Sequence, residues 1–303
     1  MPDQGHARRT VTLQPDWKKI ESEVPGLSVD SAKLIGEGWT ARAYRVNDEL
    51  VFKFPKRATD WDELDREIAF LAYARPLLPS PVAEHLFQIR KSLGAPHGYG
   101  VYRNLPGEAV RVSELSDAAR AGLAASLARF LRSLHGLRVG AEMESVLRTA
   151  EERMVSEHRL SEAQEKVAPG LTVQERRCLA HLLDRYREAA GDFSEESRII
   201  HADFSAQHIL YAEGALTGIL DWGEVSFGDP DYDFCYLYGE FGEAFVREVA
   251  SQYGHPDVDG LVRKAHFYWL VDQIDAIAYG SGRAPAGDEE AAWRQLRAIL
   301  HQR

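Results

Sequence analysis

Two apolar runs, "QHILY" and "LTGILDW", flank the four residues "AEGA" between Gln207 and Trp222. So short a connection leaves the runs one arrangement, an antiparallel hairpin. With Tyr211 opposite Leu216, the pairing sets His208 opposite Ile219 and Ala206 opposite Asp221. His208 and Asp221 then share the open end of the hairpin. Asp203, five residues before His208, falls at the same end. Spacing alone gathers Asp203, His208 and Asp221 around one point.

A set of this kind suits phosphoryl transfer. A phosphoryl group carries dense negative charge and needs cations and positioning more than covalent help. One carboxylate orients the attacking hydroxyl and takes its proton, which suits Asp203. Another holds the metal that bridges the phosphates, which suits Asp221. His208 is a further metal ligand on this reading, although magnesium prefers oxygen donors. The alternatives are plainer: a strand histidine bonded to its neighbours, and an ordinary pair of loop aspartates. His201 reads as a brace for the loop, or else as a proton carrier, since its ordinary pKa lies near neutrality.

The upstream sequence supplies the matching cation. "SAKLIGEGWTARAYRVNDELVFKFPK", Ser31 to Lys56, reads as three short strands, the first ending at Gly36. Gly36 and Gly38 make either a plain glycine hairpin or a turn whose backbone N–H groups approach a phosphate. In "LVFKF", Phe52 and Phe54 point one way, Val51 and Lys53 the other. Lys53 is either a solvated face residue or a cation held for a phosphate. "TDWDELDREIAFLAYARPLLP" reads as a helix capped by Thr59 or Asp60, with acids in its first turn and Pro76 near its end. Leu64, Ile68 and Leu71 form its apolar stripe, and Glu67 lies within it. Burying an unpaired carboxylate is costly, so Glu67 needs a cation. Lys53 is the nearest sensible one; Arg66, Arg75 or a snorkelling position at the stripe edge are the other readings.

"HGYGVYRNLPGEAV" reads as a strand running into an extended linker, broken by Pro106 and Gly107. A lobe boundary near residue 104 fits, and the pattern then turns mainly helical. His135 closes the strongly periodic "DAARAGLAASLARFLRSLHGL" as a capping or packing residue. At 303 residues the chain is long enough for two lobes with cores of their own. Its formal net charge of −11 argues against nucleic acid as a partner and suits solubility or a cationic partner. Cys178 and Cys235 offer neither a disulfide framework nor a thiolate metal site. The start "MPDQGHARRT" lacks the apolar core of a signal peptide, and no apolar run approaches the roughly 20 residues that span a bilayer. The expectation is a cytoplasmic protein with no membrane contact, acting as a monomer.

Taken in order, "GEGWTARAYRVNDELVFKFPK", "HADFSAQHIL", "GILDWGE" and "DPDYDF" resemble the aminoglycoside phosphotransferases, and most closely the aminoglycoside 2″-phosphotransferases, enzymes that inactivate antibiotics. The likeness runs from about residue 30 to the C-terminus. It implies an α+β, protein-kinase-like two-lobe fold. A small N-terminal β-sheet lobe with one helix (residues 1–104) would end in a hinge. A larger, mainly helical C-terminal lobe (105–303) would carry the catalytic loop, the metal site and the substrate cleft. It implies Mg2+ and a GTP or ATP donor. Carried over residue by residue, Gly36, Gly38 and Thr40 belong to the nucleotide turn. Lys53 holds the α- and β-phosphates and pairs with Glu67. Tyr102 sits at the inner end of the hinge, and Arg103, Asn104 and Leu105 meet the purine edge through backbone groups. Asp203 is the catalytic aspartate. His208 stands where many relatives have an asparagine metal ligand and the 2″-enzymes have histidine; Asp221 is the second metal ligand.

Aminoglycosides are polycations, and a cleft for them should be acidic. From Asp229 to Glu243 there are five acids and no Lys or Arg. In "FYWLVDQIDAIAYG", Asp272 and Asp275 are three apart and share a helix face. Glu240, Asp272 and Asp275, with Asp203, are therefore the candidate substrate contacts; an ordinary solvated helix face is the other reading for Asp272 and Asp275. Three departures from the family stand out. Ala202 replaces a common glycine, the hinge "YRNLPG" is unusual, and "CYLYGEFGEAFV" is shorter and less acidic than in the 2″-enzymes. The last two leave the purine, the antibiotic and the hydroxyl open. The competing functions are a kinase for a macrolide or a metabolite alcohol on the same fold, an idle nucleotide-binding scaffold, and a metal-dependent hydrolase built from His201, Asp203, His208 and Asp221. The scaffold reading expects loss of Lys53, Asp203 or Asp221, all present. The hydrolase reading leaves Lys53, Glu67 and the glycine turn unexplained.

Overall fold

The computed structural model describes residues 14–149, 157–189, 197–280, 285 and 287–301. Its first sheet is antiparallel and five-stranded, built from β1 (Ala32–Glu37), β2 (Ala41–Val46), β3 (Leu50–Pro55), β4 (His85–Ile89) and β5 (Tyr99–Arg103) in the order β1-β2-β3-β5-β4. Asn47 and Asp48 turn β2 into β3 with φ of 52° and 57°, a left-handed region that Asn and Asp tolerate better than most residues. Strand alternation gives the central strands β3 and β5 two buried faces, while β1 is exposed throughout. On one, Phe52 and Phe54 join Tyr44, Tyr99 and Val101 in an aromatic cluster. Trp17 of α1 (Trp17–Glu23) meets Tyr44, Phe52 and Phe54 edge-on. On the other face, Val51 and Tyr102 enter the main core of the molecule.

Helix α2 (Trp61–Ala74) lies against that second face. Leu64, Phe70 and Leu71 are its buried apolar anchors, while Ile68 is only half-buried. Gly100 sets the approach: a Cβ there would come within 3.2 Å of Leu64. The expected capping role is displaced by one turn. The Asp60 carboxylate accepts from the Arg57 amide (2.9 Å) and so closes the short 3-10 turn before the helix, not the helix itself.

The larger part is helical, with ten helices in all among the described residues. Its α3 (Asp117–His135) is capped at Ser116, whose hydroxyl accepts from the Ala119 amide. A small sheet joins β6 (Glu108–Ala109) to the hairpin β9 (Ile209–Ala212) and β10 (Ala215–Ile219). The chain thus leaves the first sheet at Arg103 and enters the second at Glu108. The hairpin register differs from the expected one. Tyr211 does face Leu216, but a bulge at Thr217 sets Ile219 opposite Ile209. His208 therefore faces Leu220, whose amide donates to the His208 carbonyl (2.8 Å), and it belongs to a 3-10 turn, Ala206–His208, not to the strand. The bulge shifts the facing residue by one, and His208 still comes to Asp221. Among the described residues no helix is long and apolar enough to cross a membrane.

Candidate functional site

Lys53 projects from β3 between two carboxylates. Its Nζ lies 2.6 Å from Glu67 Oε2 and 2.9 Å from Asp221 Oδ1, with the Lys53 side chain 11% exposed and that of Glu67 3%. Burial alone would push the ammonium toward neutrality; Asp221 and Glu67 outweigh it and hold its pKa well above the ordinary lysine range. Burial likewise opposes ionisation of Glu67 and Asp221, and Lys53 reverses that, leaving both below the usual carboxylate range. The expected Lys53–Glu67 pair is present, while Arg66 donates to the Gly223 carbonyl and Arg75 pairs with Glu84. Arg66 and the Trp222 amide, which donates to Glu67 (3.3 Å), together fasten α2 to the loop that carries Asp221.

Asp221 has φ of 58° and Ala202 of 65°. Non-glycine residues rarely hold this conformation, and it needs support from their surroundings. For Ala202 that support comes from Asp233, fully buried, which accepts from the amides of His201 (2.9 Å) and Ala202 (2.8 Å) and from His135 Nε2 (3.0 Å). The His201 ring is buried beside Trp222, ring centroids 4.5 Å apart. Its Nδ1 accepts from the Asp203 amide, so Nε2 carries the proton and donates to the Leu220 carbonyl (3.0 Å). Burial pushes its pKa down. Both ring nitrogens are engaged in bracing the loop.

His208 Nδ1 bonds the Asp203 carbonyl (3.0 Å) and contacts the Ser205 hydroxyl (3.2 Å), which turns Nε2 toward Asp221 Oδ2 at 3.7 Å. An imidazole nitrogen and a carboxylate oxygen thus border one gap. Burial opposes a charged His208, but Asp203 and Asp221 outweigh it and raise its pKa. Among the described residues no group of three or more His, Cys, Asp or Glu side chains is arranged to hold a metal ion. The Asp221 carboxylate fits magnesium, which is usually held by one or two carboxylates with water and phosphate completing its shell, whereas the His208 nitrogen is not the oxygen donor that ion prefers.

Asp203, Glu240, Asp272 and Asp275 come together as a basin. Glu240 is on α7 (Cys235–Phe241), and Asp272 and Asp275 are on α9 (Val258–Tyr279). A Cβ at Gly239 would collide with the Trp269 ring, so only glycine lets these helices approach this closely. Glu240 accepts from the Ala206 amide (2.6 Å), and Asp272 accepts from Tyr236 Oη (2.7 Å). Glu240 keeps an exposed edge, yet desolvation and the Asp203 charge push its pKa up to about 7. Asp272 is pushed up to about 7 by burial and by Asp203, Asp275 and Glu240.

Where the chain leaves the first sheet, Tyr102 is buried and Arg103 is exposed. The Arg103 amide donates to the Glu84 carbonyl and the Asn104 amide to the Glu49 carbonyl (2.8 Å). Leu105 packs against Gly218. Gly36 and Gly38 flank the β1–β2 turn, where the Gly38 amide donates to Ala41 and the Thr40 carbonyl accepts from Lys56. Asp229 and Asp231 converge on Lys264 at 2.5 and 2.6 Å, which fixes α9 to the turn before Asp233. Sequence reasoning missed His85, Trp222, Tyr236 and Lys264, and named Arg66 only as a partner for Glu67.

Residues 31–266 match the phosphotransferase enzyme family, and the chain belongs to that family. The fold is protein-kinase-like, with an antiparallel N-terminal sheet and a larger helical part. The chain is similar to the solved GDP complex of aminoglycoside 2'-phosphotransferase-IIIa, at a TM-score of 0.83 and 26% identity over 94% of this chain and 97% of that one. It is also similar to the GDP and kanamycin complex of APH(2")-IIia, at 0.82 and 27% over 93% and 97%. A macrolide 2'-phosphotransferase from Brachybacterium faecium shares the fold, at 0.68 and 20% identity over 93% of this chain and 98% of that one. Hygromycin-B 4-O-kinase of Escherichia coli is 30% identical over 39% of this chain, and an aminoglycoside 3'-phosphotransferase of Escherichia coli is 31% identical over 27%. The matched stretches span about a third of those two relatives, 35% and 31% of their lengths.

Proposed function

We propose that the protein is an aminoglycoside O-phosphotransferase, which moves the γ-phosphoryl of GTP or ATP to an aminoglycoside hydroxyl, the 2″ position, and so confers antibiotic resistance. The observation that carries this reading is the acidic basin of Glu240, Asp272 and Asp275 around Asp203, next to a lysine already balanced between two carboxylates. One half of the site suits a polyanion and the other a polycation. The solved relatives in complex with GDP and with kanamycin support the same pairing.

On this reading residues 1–104 form the nucleotide lobe and 105–303 the lobe that takes the acceptor. The turn at Gly36, Gly38 and Thr40 covers the phosphates, and Lys53 turns to the α- and β-phosphates while Glu67 keeps its ammonium in place. With the Arg103 and Asn104 amides engaged within the protein, the purine edge next to Tyr102 meets the Leu105 amide. Asp203 accepts the proton of the attacking hydroxyl and aligns its oxygen with the phosphorus, which is positioning rather than covalent catalysis. His208 and Asp221 would hold Mg2+, which when bound neutralises charge on the phosphates. His201 stays neutral and only braces the loop. Glu240, Asp272 and Asp275 hold the ammonium groups of the acceptor. The enzyme acts as a monomer in the cytoplasm.

The test is mass spectrometry on a panel of aminoglycosides and macrolides, with ATP and GTP in parallel. A gain of one phosphoryl on an aminoglycoside is expected, with little phosphate release when no acceptor is present. Gain only on macrolides, or free phosphate release without acceptor, refutes the assignment. In the same assay Asp203→Ala should nearly abolish transfer while nucleotide binding persists.

A further inference from the structure

Glu67 is held on both oxygens, and the second holder is His85. His85 Nε2 lies 2.9 Å from Glu67 Oε1, opposite the oxygen that binds Lys53, and its side chain is 7% exposed. An ionised carboxylate only accepts hydrogen bonds, so Nε2 carries the proton and donates it. The ring also packs on Tyr102, at 5.3 Å between centroids.

The backbone is shaped to deliver this contact. Val51, Tyr102 and His85 form one cross-strand row through β3, β5 and β4. That row lies on the face that α2 covers. Two residues on, Phe87 pairs with Val101 and packs with the cluster on the opposite face. Residues i and i+2 of a regular strand share a face. A bulge between His85 and Phe87 breaks that rule and turns His85 toward Glu67. It leaves Leu86 exposed at 39%. His85 Nδ1 is buried and has no hydrogen-bond partner among the described residues, an arrangement that disfavours folding. A residue kept only for packing against Tyr102 would serve better as an apolar ring.

We infer that His85 is a positioning residue for phosphoryl transfer: it fixes the Glu67 carboxylate, and through it the Lys53 ammonium, in register with the nucleotide. The inference rests on the kinase reading. Without His85, Glu67 keeps Lys53 and the Trp222 amide on one oxygen but is free to rotate about that contact. A small misplacement of a charge that must meet a phosphate is enough to slow transfer.

The test compares three substitutions by steady-state kinetics, calorimetric nucleotide binding and thermal melting. His85→Phe fills the space and keeps the contact with Tyr102 but cannot donate; His85→Gln can donate from nearly the same place. Both His85→Ala and His85→Phe should lower kcat/KM for the nucleotide by about tenfold with the acceptor KM unchanged, and His85→Gln should restore most of it. In a Glu67→Ala background His85→Ala should add no further loss. If His85→Phe matches the wild type, or if His85→Ala costs as much without Glu67 as with it, the positioning role is wrong. Should the alanine variant fail to fold, the Phe and Gln pair decides. The wild type separates the two claims: a wild type that binds neither ATP nor GTP overturns the kinase reading, whereas an active one with an equally active Phe variant overturns only the role of His85.

Discussion

Lys53 sits 2.6 Å from Glu67 and 2.9 Å from Asp221, and each carboxylate of that trio ionises more readily than usual. A short way off, Glu240 and Asp272 ionise less readily than usual, both near 7, and other carboxylates are among the causes. The first region sets one ammonium against two carboxylates, and the shared cation keeps both ionised. A phosphate that takes over the role of Asp221 beside Lys53 exchanges one anion for another at little electrostatic loss. In the second region burial, and after it neighbouring carboxylates, disfavours ionisation, and a bound proton or an arriving cation relieves it. On the proposed reading the two regions take ligands of opposite sign, and they carry opposite expectations for stability.

The sharpest way to break the contrast is Lys53→Met. Removing one partner of a buried pair strands the other, and Glu67 is almost wholly enclosed. The variant should lose roughly 3 kcal/mol of stability and on the order of 10²-fold in kcat, read by denaturant titration and single-turnover transfer. The pH dependence follows in sign. Glu67 and Asp221 have folded pKa values below their unfolded ones, so their contribution is present above the ordinary carboxylate range. It is lost as pH falls through their folded values. A Lys53→Met protein as stable as the wild type would mean the two carboxylates do not depend on the ammonium between them.

The basin predicts the reverse. Asp272 has a folded pKa raised to about 7, so it binds protons more tightly folded than unfolded, and its share of stability falls as pH rises from about 4 to 7. Asp272→Asn should therefore remove that slope without destabilising the protein at pH 8. It should raise the KM for an aminoglycoside about tenfold while sparing the nucleotide KM. In the wild type, the acceptor KM should rise as pH falls below about 7. Acceptor amines gain protons over the same range, which would lower KM, so an increase identifies the enzyme carboxylates. A flat profile would separate the basin from acceptor binding.

Much of the first region was legible in the sequence. Strand alternation in "LVFKF" fixes the face of Lys53, and a glutamate within an apolar helix stripe demands a cation. What stayed hidden depends on contacts distant in the chain or on backbone irregularities. Nothing near Lys53 announces Asp221, 168 residues away. The bulges at Thr217 and between His85 and Phe87 leave no mark on the sequence, because a short mixed run of polar and apolar residues reads the same with or without an extra residue. His85 was overlooked for that reason: its strand reads as ordinary, and the bulge alone gives it a partner. For the basin, the spacing of Asp272 and Asp275 gives a shared helix face. The elevated pKa of Asp272 depends further on how closely α7 approaches, which Gly239 and Trp269 decide in three dimensions.

The smallest expected effect tests whether either charge system depends on backbone strain nearby. Ala202 precedes Asp203 and holds φ of 65°, a conformation that disfavours an alanine by about 1–2 kcal/mol relative to glycine. Glycine gains more disorder on unfolding, about 0.5–1 kcal/mol against it. Ala202→Gly should therefore stabilise the protein by about 1 kcal/mol or less. The Ala202 amide is held by Asp233 and the loop is pinned through His201 at both ring nitrogens, so Asp203 should not move. The nucleotide KM, the acceptor KM and the pH profile should match the wild type, with a melting point unchanged or a few degrees higher. A stabilised variant that transfers phosphoryl more slowly would show that the left-handed alanine helps to aim Asp203, and would make strain a third element beside the two charged regions.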